Sequence, residues 1–326
     1  MQKFIDIPTI DISSLIFSDD LNAKNIIAEK ISYACRGPGF FYVSNHGIDI
    51  NKLQNVVYNL FKTITDTEKF NIATKAYNKS NSNEHVGYYM PIADKKPAER
   101  FLYANPNFTN THDFVVSKNR EINVWPDDKK HLGFKDFCEH HYWCMFNLAS
   151  KLLQVFAISL GKEQSFFNKY LSTENTLSTI SFIRRPFMEK YPVLQKADDG
   201  TKICFGEHKD VSLISIAFQT PIPNVQVKID NEYFDIPVSD ENLLVHCGSY
   251  MSYVTYDYFP AFDHRVKFIN AERLCLPFFL DLDYHAAIEP FSPSGEVDKS
   301  CLRPPIEYGE YLKRAREALL VKNGQI

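Results

Sequence analysis

The spacing of apolar and polar positions divides this chain into a helical first half and a strand-rich second half. Ile7-Pro8-Thr9-Ile10-Asp11-Ile12 reads as a short strand. Asp19-Asp20 then starts a helix with Ile27, Ile31 and Ala34 at helical spacing, ended by Arg36-Gly37-Pro38-Gly39. Phe40-Phe41-Tyr42-Val43 is a strand, and from Ile50 to Thr63 the residues Leu53, Val56, Val57, Leu60 and Phe61 share one helical face. The segment from Ser80 to Asp127 is polar, aromatic and rich in turn residues. Apart from Phe101-Leu102-Tyr103 it predicts little regular structure and suits a loop that covers a substrate. A long helix follows from Phe134 to Leu160, with Phe137, Trp143, Phe146, Leu152, Leu153 and Phe156 as core and Gly161 closing its end.

Beyond Thr176 the texture changes to short strands, predicted at 177–184, 212–219, 225–229, 233–236, 243–246, 265–269 and 274–282. Asp230-Asn231-Glu232 is a hairpin signal between the third and fourth. Such even spacing suits a double-sheet jelly roll. The stretch from Pro305 to Lys322 returns to helix on Tyr308, Tyr311, Leu312, Ala315, Ala318 and Leu319. The expected fold is mainly β with flanking helices around a double-stranded β-helix (jelly-roll) core. One domain is expected over 1–326, because barrels with added helices often reach this length as one unit. It comprises a helical N-terminal layer with strands at 1–175, the jelly-roll core at 176–300, and a C-terminal helix and tail at 301–326.

Hydrophobic residues at 44%, charged residues at 23% and a formal charge of -4 describe an ordinary globular chain with no electrostatic footprint for nucleic acid or anionic membrane. No apolar run approaches the roughly 20 residues that span a bilayer. The N-terminus lacks the apolar core of a signal peptide, so a cytoplasmic protein is expected. The seven cysteines are scattered, with no CxxC pair to suggest zinc or a redox dithiol. They read as buried thiols, except that Cys275 falls beside Arg273, which is read below as a pocket arginine. His112, His131, His140 and His141 read as surface or packing residues.

The chemistry centres on His208-Lys209-Asp210. In an extended segment side chains two apart point the same way, so His208 and Asp210 can reach one metal while Lys209 points off. A third ligand must come from another strand, and His264 lies far enough along for the chain to return across the barrel mouth. Two imidazoles and one carboxylate on one face of a metal leave the opposite positions open, as non-haem Fe(II) oxygen-activating enzymes require. Alone, an HxD also reads as a surface pair. Here it is followed by Cys247-Gly248-Ser249-Tyr250, His264-Arg265-Val266, Arg273 and Pro277-Phe278-Phe279.

Over nearly its whole length the chain resembles the isopenicillin N synthase family, within the wider group of iron-dependent oxidases and 2-oxoglutarate dioxygenases. The matching residues include Gly39-Phe40-Phe41-Tyr42, Asn45-His46-Gly47-Ile48, Gly87-Tyr88-Tyr89, Asn123-Val124-Trp125-Pro126-Asp127, Asp210-Val211-Ser212-Leu213-Ile214 and His264-Arg265-Val266-Lys267. Asn270-Ala271-Glu272-Arg273, Leu276-Pro277-Phe278-Phe279 and Lys322-Asn323-Gly324-Gln325 look like the synthases in particular. The resemblance implies Fe(II) as cofactor and O2 as co-substrate. It makes Gln325 a candidate fourth iron ligand in the substrate-free state. It also implies a thiol-bearing substrate that supplies all four electrons while oxygen leaves as water.

Positions that hold the synthases' tripeptide have changed. By the resemblance, an arginine that grips the distal carboxylate, just ahead of Gly87-Tyr88-Tyr89, aligns with His85. A tyrosine at the other carboxylate aligns with Arg185, a serine with Cys275 and another serine with Thr179. An imidazole cannot make the bidentate contact of a guanidinium. Two cations, Arg185 and Arg273, in one pocket are costly unless an anion sits between them. The substrate-binding set is therefore Arg273, Arg185, Cys275, Thr179, His85 and Tyr89, for a small carboxylate-bearing molecule other than the penicillin precursor. An alternative phase of the strand would turn Arg184 inward and Arg185 to solvent. His246 aligns with an asparagine and reads as a packed strand histidine whose loss leaves iron in place.

Two other readings stand beside the oxidase. In a 2-oxoglutarate-dependent dioxygenase of the same fold, Arg273 would bind the co-substrate's distal carboxylate. Replacement of the usual Arg-x-Ser pair by Arg273-Leu274-Cys275 argues against that requirement, as does the retained Gln325. A non-catalytic binding protein would have kept the fold and lost the chemistry, yet all three ligand residues are present.

Overall fold

A computed structural model describes residues 3–18, 20–91, 98–189, 196–295 and 301–322. The chain begins with β1 (Thr9–Asp11), α1 (Ser13–Phe17) and α2 (Leu21–Arg36), followed by β2 (Phe40–Ser44), α3 (Ile50–Thr63) and α4 (Asp66–Asn71). Next come β3 (Gly87–Tyr89), β4 (Glu99–Ala104), α5 (Asp113–Val116) and α6 (Phe134–Ser159). The second half runs through β5 (Thr179–Arg185), β6 (Ile203–His208), β7 (Ile214–Gln219), β8 (Val225–Ile229), β9 (Glu232–Asp235) and β10 (Leu243–Cys247). It closes with α7 (Ser249–Val254), β11 (His264–Lys267), β12 (Arg273–Leu280) and α8 (Tyr308–Lys322).

Local chemistry sets the main boundaries. The Asp20 carboxylate accepts from the backbone of Asn22 and caps α2. Thr65 and Glu68 form a reciprocal capping box on α4. Asp230 and Asn231 both adopt positive φ, at 49° and 64°, giving the two-residue turn whose twist matches a hairpin between β8 and β9. Gly161, at φ 69°, takes the left-handed conformation that stops α6. Among the described residues no helix is long and apolar enough to cross a membrane.

The strands form an eight-stranded sheet, ordered β1-β2-β10-β7-β12-β5-β4-β3, and a four-stranded sheet, ordered β6-β11-β8-β9. Together they make the expected jelly-roll core. Side chains alternate across β12, so Leu274, Leu276, Phe278 and Leu280 enter the main core with Tyr142, Ala149 and Leu152 of α6. The other face carries Arg273, Cys275 and Phe279. Between the sheets lies a smaller apolar layer of Phe40, Tyr42 and Leu244 from one side and Val225 and Val227 from the other. This layer floors the space in which the chemistry-bearing residues meet.

Some elements differ from the sequence reading. The segment from Ser80 to Asp127 adds the short β3 and α5 to the expected strand, which extends as β4, and its other described residues form no helix or strand. The strand β6, which delivers His208, had no pattern of its own because its burial does not alternate. The helices α1, α4, α5 and α7 are too short for periodicity to register.

The turn from β10 to α7 packs directly on the loop that carries Asp210. The Ser249 amide donates to the Asp210 carbonyl at 2.7 Å and the Gly248 amide to that of Leu213 at 3.0 Å. A Cβ at Gly248 would lie 1.9 Å from the Ser212 carbonyl oxygen. Gly248→Ala is therefore expected to cost about 1–3 kcal/mol, as overpacking does, read as a lowered urea midpoint. An unchanged midpoint would mean that the turn has slack.

Candidate active site

Strand pairing assembles the site. His264, the first residue of β11, is the direct antiparallel partner of His208, the last of β6. The two imidazole centroids lie 4.2 Å apart. Asp210, just past β6, sets its Oδ1 3.6 Å from His208 Nε2 and 3.7 Å from His264 Nε2. The three residues offer ligand atoms all within 4.8 Å of one another, a spacing that can hold a metal ion. His208 Nδ1 is 2.9 Å from the Gly206 carbonyl and His264 Nδ1 3.3 Å from that of Phe262. A proton donated from each Nδ1 leaves the Nε2 lone pairs turned toward the carboxylate, the tautomer that a metal needs. The donor set fits Fe(II) and forms a single face.

The surroundings tune that carboxylate. Burial alone would raise the Asp210 pKa, but a hydrogen bond from His246 and the three nearby imidazoles outweigh it and hold the group well below the usual range. Burial pushes His264 down to about 3, against the pull of Asp210, so the ring is neutral and its lone pair free. Asp210 Oδ2 accepts from the Ser215 hydroxyl at 2.6 Å, and Ser215 in turn meets Ser212 at 2.8 Å. His246 Nε2 sits 3.2 Å from the same Oδ2. His246 is a packed strand histidine against Phe40, with centroids 4.6 Å apart, and it stands outside the ligand trio. Its contact with Asp210 was not legible in the sequence, because strand pairing and packing alone bring these distant positions together.

A second polar cluster lies on the same inner face. Arg185 and Arg273 are direct partners across β5 and β12, and only 7% and 5% exposed. Arg184 takes the other face, where Glu99 accepts from it at 2.9 Å and Glu272 at 3.0 Å. The phase of β5 thus turns Arg185 inward. Arg273 Nη2 donates to Gln219 Oε1 at 2.9 Å. Arg185 Nε and Nη1, Arg273 Nε, Gln219 Nε2 and the Ser181 hydroxyl are buried without a hydrogen-bond partner among the described residues. Cys275 pairs with Gln219 on one side and Ile183 on the other, so it shares this face.

The remaining predicted residues spread along the sheet. Thr179 opens β5 and lies beside Phe279, whose other partner is Ser215. Tyr89 is on the edge strand β3, stacked under Arg100 at 3.7 Å, with its hydroxyl donating to the His85 carbonyl at 2.6 Å. His85 is half-buried and pushed down to about 4, first by burial and then by Arg316. It brings no charge at neutral pH. Arg120, buried and pushed down to about 9, joins Arg316 in acting on it. No sequence signal linked these three distant positions. Gln325 lies outside the described residues.

A neutral-imidazole and carboxylate face between two jelly-roll sheets defines the class of non-haem iron oxidoreductases. The profile of the 2OG-Fe(II) oxygenase superfamily matches residues 163–282, and that of the non-haem dioxygenase in morphine synthesis N-terminal region matches 7–128. The isopenicillin N synthase of Streptomyces jumonjinensis is 46% identical over 322 residues, covering 98% of this chain and 97% of its own length. That of Penicillium rubens is 44% identical over 325 residues, covering 98% of each. A putative 2OG-Fe(II) oxygenase family protein from Caulobacter crescentus shares the fold at a TM-score of 0.77 and 18% identity, covering 98% of this chain and 100% of its own. The chain belongs to the isopenicillin N synthase family of the 2OG-Fe(II) oxygenase superfamily. It is an Fe(II) oxidoreductase that uses O2 on a small molecule.

The contact of His246 with Asp210 makes a prediction. Removing a hydrogen bond that orients a ligating carboxylate typically costs about 10–100-fold in metal affinity. His246→Ala should weaken Fe(II) binding by that order without abolishing it, measured anaerobically by competition with a chelator. Unchanged affinity would return His246 to a packing role alone.

Proposed function

We propose that the protein is an Fe(II)-dependent, O2-activating oxidase acting on a small, carboxylate-bearing, thiol-containing amino acid or peptide derivative other than the penicillin precursor. In this reading His208, Asp210 and His264 would hold the iron, which would supply the activation of O2 next to a substrate thiol. Arg273 and Arg185 anchor the substrate carboxylate from neighbouring strands, with Cys275 and Thr179 lining the space between anchor and metal. The observation that carries the reading is the pair of buried guanidiniums with unused N–H groups, on the same inner face as Ser215 and His246 beside the ligand trio. Buried cations of this kind are stable only with an anion to complete them.

The chain's own residues account for the rest of the proposed task. Ser215 and His246 fix the unshared oxygen of Asp210, so that Oδ1 stays turned toward the two imidazoles. The Phe40 ring and the apolar layer beneath it exclude water from one side. Holding the substrate at its carboxylate restricts which C–H bond can approach the metal. Neutral His85 in place of a guanidinium supports a substrate whose far end differs from the synthases' tripeptide. A cytoplasmic location and a single domain belong to the same reading, the first supported by cysteines that form no disulfide among the described residues.

Two measurements test it. Single replacement of His208, Asp210 or His264 by Ala should abolish Fe(II) binding and oxygen uptake, and a His264→Ala protein with normal iron affinity would refute the ligand set. Oxygen uptake by the anaerobically Fe(II)-loaded protein, scanned over cysteine-containing peptides and small thiols, should proceed without 2-oxoglutarate. Succinate released in step with turnover would instead place the protein with the 2-oxoglutarate-dependent dioxygenases.

A further inference from the structure

Arg185 and Arg273 carry more charge than a single carboxylate neutralises. Two other guanidiniums of the two sheets are given their own counter-ions, although buried Arg120 leaves its Nε without a partner among the described residues. Arg184 has Glu99 and Glu272, and Arg265, 3% exposed, has Asp199 at 2.6 Å. Among the described residues no carboxylate pairs with Arg185 or Arg273, although the two are direct cross-strand partners and almost wholly buried. Burial lowers the Arg185 pKa, Cys204 opposes this, and the charge of Arg273 adds to the lowering. Their free N–H groups and Gln219 Nε2 belong to residues on one face of neighbouring strands. Two like charges side by side in a desolvated space leave one uncompensated if a single negative charge enters.

We propose that Arg185 and Arg273 form one recognition site for a doubly charged acid group at the anchored end of the substrate. The chemistry is either two carboxylates on one carbon, as in a malonate-type end, or a phosphate or phosphonate. Either offers enough oxygens to take the Arg185 fork, Arg273 Nε and Gln219 Nε2 together, with two negative charges facing two guanidiniums. Gln219 holds Arg273 through its Oε1. The proposal rests on the functional reading above only in taking this face as the substrate's.

Calorimetric titration of malonate, inorganic phosphate and isobutyrate tests it, first on protein stripped of metal by a chelator and then on the anaerobic Fe(II)-loaded protein. The metal-free arm is needed because dicarboxylates also chelate iron. In that arm malonate or phosphate is expected to bind at least about tenfold more tightly than isobutyrate, a gap matching one added charge-assisted contact. The tighter of the two identifies the source of the double charge. Arg185→Gln should bring all three ligands to similar affinity, and Arg185→Lys should keep part of the preference. Equal binding of the three by the wild type, no binding of any, or a preference surviving in Arg185→Gln would each overturn the proposal. The wild-type comparison stands even if Arg185→Gln fails to fold. Failure of iron binding or oxygen uptake leaves these metal-free affinities untouched, so the two readings fall separately.

Discussion

The buried Asp210 carboxylate is the constraint around which this molecule is organised. A desolvated carboxylate is tolerable only when donors and positive charge surround it. Here Ser215 and His246 hold one oxygen, while His208 and His264 face the other. Those four residues come from β7, β10, β6 and β11, so both sheets must be in register before the carboxylate is satisfied. The site and the fold are therefore coupled: the pairing of His264 with His208 makes the metal face, and the packing of the Gly248 turn on the Asp210 loop keeps the carboxylate in it.

The second electrostatic feature has the opposite sign and the opposite logic. At Asp210 the protein furnishes the compensation itself. At Arg185 and Arg273 it withholds it, leaving buried N–H groups without partners among the described residues. Incomplete polar groups in a native interior are places where something else completes them. The guanidiniums and Ser215, which donates to the Asp210 carboxylate, share the inner face of the eight-stranded sheet along β5, β12 and β7, which ties an anion-binding pair to the metal face through rigid strands. That geometry favours orientation of a substrate over loose capture.

On the functional reading proposed above, the chain keeps its relatives' metal chemistry and changes how the substrate is gripped. By the resemblance to the synthases a neutral histidine, His85, stands at one end in place of a cation, with Arg120 and Arg316 close enough to act on it. At the other a second guanidinium joins Arg273. Changes of this kind leave His208, Asp210 and His264 in place, so substrate choice can shift while oxygen activation persists.

His208, Asp210 and His264 were legible because an i, i+2 pair in extended chain points one way whatever surrounds it, and because local spacing marks a jelly roll. The long helices at 50–63 and 134–159 and the turn at Asp230-Asn231 were legible for the same reason: periodicity and turn chemistry are properties of neighbouring residues. The phase of β5 was not. Alternation states that Arg184 and Arg185 face opposite ways but not which one faces inward, and pairing with β12 and β4 decides it. His246, Ser215 and Gln219 acquired their partners only through strand register, and His85 met Arg120 and Arg316 only through packing. Sequence by itself determined the ligand types, the class of fold and the chemistry they permit, since these follow from local geometry. Tertiary structure alone decided which charges are compensated and which are left open, because that depends on contacts between residues far apart in the chain.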